Sequence, residues 1–194
     1  MNSDQATIRR EMKSARLALS PAERQHANRA LTKNLLRLRA IRRCSTIGAY
    51  LPFRGEADFL QVLENQILRK KRVFLPVLKK NRLRFVQLYS DSELRKNRYG
   101  ILEPVYTNAD LINTRDLDII LAPLVAFDAD CNRIGMGGGY YDRTLAFRKP
   151  RKNWRRPLLI GVAYDFQRVE SVETQPWDIP LDAVITDKQC YGLF

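Results

Sequence analysis

Residues 118–125 of this chain read Asp-Ile-Ile-Leu-Ala-Pro-Leu-Val, and residues 133–143 read Arg-Ile-Gly-Met-Gly-Gly-Gly-Tyr-Tyr-Asp-Arg. The first segment is the most hydrophobic of the sequence, and a short continuous apolar run predicts a strand that is buried on both faces. We therefore expect residues 118–125 to form the central strand of a sheet, which leads through Ala126, Phe127 and Asp128 to the second segment.

The second segment contains a glycine loop, residues 135–139, ahead of a predicted helix at residues 140–147. Glycine allows positive φ and a close approach to the main chain, and uncovered N–H groups at a helix start favour an anion. A tight strand-to-helix turn without a ligand is the alternative. Four glycines, bracketed by arginine, tyrosine and aspartate side chains, favour a ligand site and suggest a cradle for phosphate.

Strands and helices alternate along the rest of the chain. The predicted strands are residues 46–51, 73–77, 83–89, 158–163 and 183–186, and the predicted helices are residues 7–19, 21–41 and 58–71. A capping box of Ser20 and Glu23 marks the start of the second helix. We place residues 83–89 at a sheet edge and expect residues 91–106 to be irregular, with a short helix near Glu93 and no chemistry.

This alternation predicts an α/β fold. We expect one domain over residues 1–194, built as an open, mainly parallel sheet with helices on both faces in a Rossmann-like three-layer arrangement. The composition agrees, because 45% hydrophobic and 28% charged residues describe an ordinary globular protein.

Targeting and redox signals are few. The longest apolar run, residues 119–127, is too short to span a bilayer, and the polar N-terminus has no secretory signal. We therefore expect a cytoplasmic protein and a monomer, with no membrane partner. Three widely spaced cysteines, Cys44, Cys131 and Cys190, favour packing roles over disulfides or a zinc site.

The residue inventory excludes several chemistries. The only histidine, His26, falls within the second predicted helix, so neither a histidine-based catalytic triad nor a His-rich metal site is expected. The nucleophile-elbow and P-loop patterns are absent, and Tyr140 stands where the dinucleotide-binding fingerprint needs its third glycine. A glycine loop with nearby arginines and aspartates is what remains.

That combination suits a nucleoside triphosphate with a divalent metal. Main-chain N–H groups and Arg133 or Arg143 would hold phosphate oxygens, and Asp142 would offer Mg²⁺ the oxygen ligand that it prefers. Asp178 is a second candidate ligand, although a loop cap is the simpler role for it. The two adjacent tyrosines would wall a flat heterocycle or pack at the helix start.

The net charge of +13 favours anionic partners. A basic nucleic-acid-binding α/β module is the competing interpretation, in which residues 148–156 grip a phosphate backbone and a tryptophan stacks on a base. The side chains concerned are Arg148, Lys149, Arg151, Lys152, Trp154, Arg155 and Arg156. That interpretation explains neither the four glycines nor Asp142, so nucleic acid is not the partner we expect.

Residues 127–143 resemble the signature of the 5-formyltetrahydrofolate cyclo-ligase family. The match comprises Phe127-Asp128 and Arg133-Ile134-Gly135-x-Gly137-x-Gly139-Tyr140-Tyr141-Asp142-Arg143. Further segments in family order are Ile8-Arg9, Ala49-Tyr50-Leu51 with Glu56, Ile101-Leu102-Glu103-Pro104, Asp118-Ile119-Ile120, and Asp178 with Asp182-Ala183-Val184-Ile185-Thr186. The resemblance spans nearly the whole chain.

The resemblance implies a ligase that converts 5-formyltetrahydrofolate and ATP, with Mg²⁺, to 5,10-methenyltetrahydrofolate, ADP and phosphate by phosphorylating the N5-formyl oxygen. It implies catalytic roles for Arg133, Tyr141 and Asp142, and metal ligation by Asp142 and Asp178. The residues that would contact ATP are Gln5, Arg9, Arg133, Ile134, Gly135, Met136, Gly137, Gly138, Gly139, Tyr140 and Tyr141. Those that would contact the folate are Leu51, Glu56, Met136, Gly137, Gly138, Gly139 and Tyr140, with Glu56 accepting pterin N–H groups. A relative with the same fold and another carbonyl substrate stays open on motifs alone.

Two positions depart from the family pattern. Gln5 stands where members often carry a lysine, which would weaken the N-terminal contact with ATP or pass it to Arg10. Gly138 stands where some members carry a lysine, which leaves less side-chain charge for the phosphates.

Overall fold

The computed structural model describes residues 5–60, 70–149 and 156–192. Its α-helices are α1 (Gln5–Ala18), α2 (Pro21–Arg37), α3 (Arg39–Arg43) and α4 (Tyr140–Leu145). Single 3₁₀ turns occur at Asn108–Asp110, Thr114–Asp116, Ala146–Arg148 and Asp165–Gln167. Most of the helix predicted at residues 58–71 lies outside the described residues.

The strands of the described chain belong to one large sheet and two short hairpins. They are β1 (Thr46–Gly48), β2 (Arg72–Lys79), β3 (Arg82–Gln87), β4 (Leu94–Lys96), β5 (Leu102–Pro104), β6 (Leu111–Ile112), β7 (Ile119–Pro123), β8 (Ala126–Phe127), β9 (Arg133–Ile134), β10 (Leu158–Val162), β11 (Ala183–Ile185) and β12 (Cys190–Gly192). The large sheet has the order β12-β11-β10-β7-β1-β2-β3-β6. Its middle, from β11 to β2, is parallel, and β12, β3 and β6 add antiparallel edges. The prediction of an open, mainly parallel α/β sheet is confirmed.

Strand β7 lies in the interior of the sheet, as its apolar run predicts. Ile119 and Leu121 point to the face covered by α2 and α3, where they join the same core as Leu31, Leu35 and Ile41. Ile120 and Ala122 point to the other face, where the core includes Leu145 of α4. The alternation along one strand therefore builds three layers, with helices on both faces of the sheet.

Helix α2 begins as predicted and ends earlier. The Ser20 hydroxyl accepts from the Glu23 N–H at 3.3 Å, and the Glu23 carboxylate accepts from the Ser20 N–H at 2.9 Å. The expected end near Ile41 is wrong, because Leu38 is extended, with φ −65° and ψ 126°, and separates α2 from α3. The break leaves Leu38 buried, and Leu35 and Ile41 on either side of it reach the same core.

Several local predictions need correction. Strand β3 is not the sheet edge, because β6 pairs with it. Residues 91–106 are not irregular with a helix near Glu93, because β4 and β5 form a hairpin there. The strand predicted at residues 46–51 ends at Gly48, and the buried Tyr50 hydroxyl beyond it donates to the Ala57 carbonyl at 2.7 Å. Periodicity gives little signal for strands of two or three residues.

Cys44 and Cys131 are buried and free, as packing residues should be, whereas Cys190 is exposed on β12, so its predicted packing role is wrong. His26 is exposed on α2. None of the helices in the described part of the chain combines the length and apolarity needed to cross a bilayer.

Candidate active site

The glycine loop sits at the end of a hairpin that continues from the central strand. Beyond β7 the chain forms β8, turns, and returns as β9 directly before Gly135. Asp128 shapes the turn, because its Oδ1 accepts the N–H groups of Asp130 at 3.0 Å and Asn132 at 2.9 Å. Its Oδ2 accepts the Val172 N–H at 3.0 Å, which ties the hairpin to a distant loop. Asp128 thus fixes the position from which the glycine loop departs.

Two glycines of the loop have left-handed backbone conformations, Gly137 with φ 96° and Gly139 with φ 62°. A Cβ atom added at Gly135 or Gly137 would meet no other atom within 4 Å, so the main chain faces open space there. The prediction of a sharp turn that needs positive φ is confirmed. Helix α4 has only six residues, so its dipole can contribute little to anion binding at the loop.

Arg143 links the glycine loop to the β2–β3 turn by hydrogen bonds. Its Nε donates to the Asn81 carbonyl at 2.7 Å, in the β2–β3 turn, and its Nη2 donates to the Gly138 carbonyl at 2.5 Å. A Cβ on Gly139 would lie 2.6 Å from Arg143 Nη1, and φ there is +62°, so glycine is favoured at this position. Of the two arginines predicted to hold phosphate, Arg143 is therefore committed to the protein.

Arg133 is paired with Asp142. Its Nη2 lies 2.6 Å from Asp142 Oδ1, its Nη1 donates to the Ile179 carbonyl, and its side chain is only 6% exposed. The Ile179 N–H also donates to Asp142 Oδ1, at 3.2 Å. Asp142 therefore fixes both the guanidinium and the chain next to Asp178.

Asp142 and Asp178 meet at one cavity of about 200 Å³. It is lined by Asn132, Arg133, Asp142, Thr174, Gln175, Asp178, Ile179 and Pro180. Asp178 also closes its own turn, because its Oδ2 accepts the Gln175 N–H at 2.8 Å. The sequence separates these two carboxylates by thirty-six positions, and the fold brings them to the same space.

The start of α1 reaches the glycine loop. Arg9 donates through Nε to the Gly135 carbonyl at 2.9 Å and through Nη2 to Gln5 Oε1 at 2.9 Å. Gln5 in turn donates to the Glu173 carbonyl at 3.0 Å. Of the two N-terminal residues that the resemblance assigned to ATP binding, Arg9 thus contacts the loop and Gln5 hydrogen-bonds Arg9.

Two of the residues assigned to the folate, Leu51 and Glu56, follow β1 in the chain, and the other five belong to the glycine loop and the start of α4. Leu51 is half-buried, and Glu56 is 9% exposed, with its Oε2 accepting the Phe53 N–H at 3.1 Å. Burial raises the pKa of Glu56 to about 7, although the Arg16 guanidinium opposes this. Burial, and then the charge of Glu56, raise the pKa of Tyr141.

Sequence reasoning missed the contribution of the β4–β5 hairpin. Arg98 Nη2 donates to the Tyr140 hydroxyl at 3.0 Å, and the Tyr99 and Tyr140 hydroxyls are 2.8 Å apart. Hydrogen bonding, first to Tyr99 and then to Arg98, lowers the pKa of Tyr140. An arginine and a tyrosine directly before Gly100, at a turn, are the signal that was available. Met136, on the loop itself, is 45% exposed.

The basic segment of the nucleic-acid interpretation is only partly described, since residues 150–155 lie outside the described chain. Arg148 Nη2 lies 2.6 Å from Asp182 Oδ2, and Arg156 Nη1 lies 3.1 Å from Asp118 Oδ1. Lys149 donates to the Pro176 carbonyl. These side chains serve intramolecular contacts, which weakens the case for a free basic array.

Comparison with known proteins gives a consistent match. The model of the 5-formyltetrahydrofolate cyclo-ligase family matches residues 1–187. The 5-formyltetrahydrofolate cyclo-ligase of Haemophilus influenzae is 36% identical over 179 residues, which cover 90% of this chain and 92% of that protein. The protein of the same name from Escherichia coli K12 is 36% identical over 181 residues, covering 91% and 96%.

A solved structure of Aquifex aeolicus 5,10-methenyltetrahydrofolate synthetase has a TM-score of 0.80 and 32% identity, and the match covers 97% of this chain and 92% of that one. The Mycoplasma pneumoniae protein of that name has a TM-score of 0.72 at 26% identity, with 95% and 99% covered. Sequence and fold agree over nearly the full length of both chains. This chain therefore belongs to the 5-formyltetrahydrofolate cyclo-ligase family.

Proposed function

We propose that this chain is an ATP- and Mg²⁺-dependent 5-formyltetrahydrofolate cyclo-ligase, which forms 5,10-methenyltetrahydrofolate and releases ADP and phosphate. The observation that carries the proposal is the Arg133–Asp142 pair, which lines one cavity together with Asp178. The loop that joins these two paired residues along the chain has an open main chain at Gly135 and Gly137. The names of the relatives support the same reaction. We also expect one domain over residues 1–194, a monomer and a cytoplasmic location.

The chemical difficulty is that the formyl group is an amide whose oxygen is a poor leaving group. In the proposed first step, the N5-formyl oxygen attacks the γ-phosphorus, a new O–P bond forms, and ADP leaves with the electrons of the broken P–O bond. N10 then attacks the formyl carbon and loses its proton, the C–O bond breaks, and phosphate leaves. Phosphoryl transfer needs positioning and charge neutralisation more than a nucleophilic side chain, which suits a site without histidine.

The chain's own groups divide this work. The amides of the glycine loop would hold phosphate oxygens, and Arg133 would add a fixed positive charge beside them. Arg9 and Gln5 would brace the loop from α1 and complete the nucleotide site. Tyr141, next to Asp142 in sequence, would help to exclude water between the two substrates.

Mg²⁺, when bound, would neutralise negative charge on the phosphates. The residues present fit that ion, since Asp142 and Asp178 are two carboxylates on one cavity. Mg²⁺ at nucleotide sites is usually bound by one or two carboxylates and completes its shell with phosphates and water. The described residues contain no group of three or more metal-binding side chains, in keeping with such a shared shell.

The folate would lie between Leu51, Glu56 and the outer side of the loop. The Glu56 carboxylate would accept pterin N–H groups, and the exposed side chain of Met136 offers apolar contact. Tyr140 would give a flat surface, steadied by the hydrogen bonds of its hydroxyl to the β4–β5 hairpin.

A coupled assay tests the proposal. Full-length protein is mixed with 5-formyltetrahydrofolate, ATP and Mg²⁺, and near-ultraviolet methenyl absorbance is followed together with ADP. We expect both products in equal amounts, and neither when any one component is omitted. ADP and absorbance at background would refute the proposal. ADP release with another formyl compound, but not with this folate, would instead indicate a relative with a different carbonyl substrate.

A further inference from the structure

Arg16 is a charged side chain buried inside the protein, with 1% exposure. Its Nη1 donates to the Leu124 carbonyl at 3.3 Å, while its Nε and Nη2 have no hydrogen-bond partner among the described residues. A buried cation with a single hydrogen bond is costly unless an opposite charge lies close to it. A packing role alone does not account for a guanidinium at this place.

The opposite charge comes from Glu56. Its Oε1 lies 3.9 Å from Arg16 Nη1, and its side chain is itself 9% exposed. The Glu56 N–H donates to the Phe53 carbonyl at 3.2 Å, so the carboxylate sits on a closed turn. Gly55 in that turn has φ +74°, and a Cβ there would lie 3.1 Å from the Arg16 carbonyl oxygen. The turn therefore packs directly against the backbone and the side chain of Arg16.

We propose that Arg16 is a positioning residue of the folate site, which holds Glu56 in its ionised form and in place as an acceptor for pterin N–H groups. This inference rests on the proposed function, in which Glu56 contacts the folate. An ionised carboxylate accepts through both oxygens, whereas a protonated one accepts well through only one and presents an O–H donor at the other, so it binds N–H groups less well. Arg16 does not touch the substrate and acts through Glu56.

The groups that face Glu56 from the elements around it are Arg16 of α1, Tyr50 after β1 and Tyr141 of α4. Burial, followed by the charge of Glu56, raises the pKa of both phenols, so they stay neutral near pH 7. Burial raises the pKa of Glu56 to about 7 even with Arg16 opposing it. Removing Arg16 therefore raises that pKa further and leaves Glu56 protonated at neutral pH.

The test measures kcat and KM for 5-formyltetrahydrofolate between about pH 5.5 and 8.5. Full-length wild type is compared with Arg16→Met, Arg16→Lys and Glu56→Gln, and Arg29→Met serves as a control that removes an exposed charge on α2. We expect wild-type kcat/KM to rise through the Glu56 pKa near 7. Arg16→Met moves the midpoint up by about one pH unit, which lowers the ionised fraction of Glu56 at pH 7 from about one half to about one eleventh. The folate KM at pH 7 therefore rises roughly five- to sixfold, and the ATP KM stays unchanged.

Arg16→Lys keeps the charge and moves the midpoint less, and Glu56→Gln removes this pH dependence. If Arg16→Met does not fold, the lysine variant gives the same comparison. A midpoint that stays in place in the folded Arg16 variants overturns the proposal, as does an Arg16→Met effect of equal size in the Glu56→Gln background. Carboxyl ¹³C NMR of Glu56 distinguishes failure of this inference from failure of the proposed function. If the Glu56 titration midpoint shifts when Arg16 is substituted but the protein is inactive in the coupled assay, the coupling between the two residues stands and the proposed function is refuted.

Discussion

Arg133 and Asp142 form an ion pair at 2.6 Å, with Asp142 Oδ1 also accepting the Ile179 N–H. Asparagine at position 142 keeps an oxygen for both donors and loses the charge that the metal role requires. We expect Asp142→Asn to lower turnover by about a hundredfold or more, since loss of a metal carboxylate costs several kcal/mol in the transition state. ADP release and methenyl absorbance measure this loss.

The matched control is Asp130→Asn, which removes an exposed carboxylate from the neighbouring β8–β9 turn. This variant should keep wild-type turnover and unfold at the wild-type temperature. Asp142→Asn should unfold at a lower temperature, because it leaves the 6% exposed Arg133 without its paired charge, so its turnover is measured well below that temperature. A near-normal rate in Asp142→Asn would remove the metal role from Asp142, whatever its place in the fold.

Substitution of glycine by alanine should have opposite consequences at Gly135 and at Gly139, affecting ATP binding at the first and stability at the second. Gly139→Ala places a Cβ 2.6 Å from Arg143 Nη1 at φ +62°, and we expect a loss of about 1–2 kcal/mol of unfolding free energy. Gly135→Ala meets open space, so stability should stay within about 0.5 kcal/mol of wild type. Its new methyl group would nevertheless stand where phosphate approaches the main chain, and the KM for ATP should rise. Urea denaturation and steady-state kinetics separate the two effects. An unchanged KM in Gly135→Ala would refute the cradle at that position.

The fold was largely predictable because its central strands are long or strongly apolar. Residues 118–125 are buried on both faces, and such a run is legible without a partner. The capping box at Ser20 could also be predicted from sequence, because both of its partners lie within four residues of each other. Strand β6 and the β4–β5 hairpin were not, because strands of two or three residues form through pairing with distant segments.

The candidate site divides in the same way. The glycine loop and Asp142 lie close together in the sequence, so a common role for them could be predicted from the sequence alone. Asp178 reaches the cavity, and Tyr99 reaches Tyr140, only through tertiary folding. The burial of Arg16 was also out of reach, because an arginine within a basic amphipathic helix is normally assigned to the solvent face.

Gln5 should influence ATP binding through Arg9. Gln5→Ala removes the oxygen that accepts Arg9 Nη2 at 2.9 Å and the bond to the Glu173 carbonyl. One such hydrogen bond is worth about 0.5–1.5 kcal/mol, so we expect the KM for ATP to rise by roughly two- to tenfold with the folate KM unchanged. Arg10→Ala tests the neighbouring exposed arginine under the same conditions. If Arg10→Ala raises the KM for ATP and Gln5→Ala does not, the N-terminal contact belongs to Arg10.

The raised pKa of Glu56 predicts that the free energy of unfolding falls as the pH rises. Its folded pKa of about 7 lies above its ordinary value of 4.5, so the folded state binds the proton more tightly than the unfolded state. The stabilisation from protonated Glu56 is complete below about pH 4.5 and is lost as pH rises through 7. Relative to Glu56→Gln, wild type should therefore lose on the order of 3 kcal/mol of unfolding free energy between about pH 4.5 and 8.

Asp118→Asn is the control for that measurement. Burial raises the pKa of Asp118, but the N–H groups of Ser45 and Thr46, with Arg156, outweigh it and leave the pKa below its ordinary value. Its stabilisation is present above an ordinary pKa of 3.8 and is lost only in more acidic solution, so the difference between Asp118→Asn and wild type should be flat between about pH 5 and 8. Urea denaturation of wild type, Glu56→Gln and Asp118→Asn between about pH 5 and 8 measures both differences in unfolding free energy. A Glu56→Gln difference that is equally flat would show that Glu56 ionises in its ordinary range and that burial does not control it.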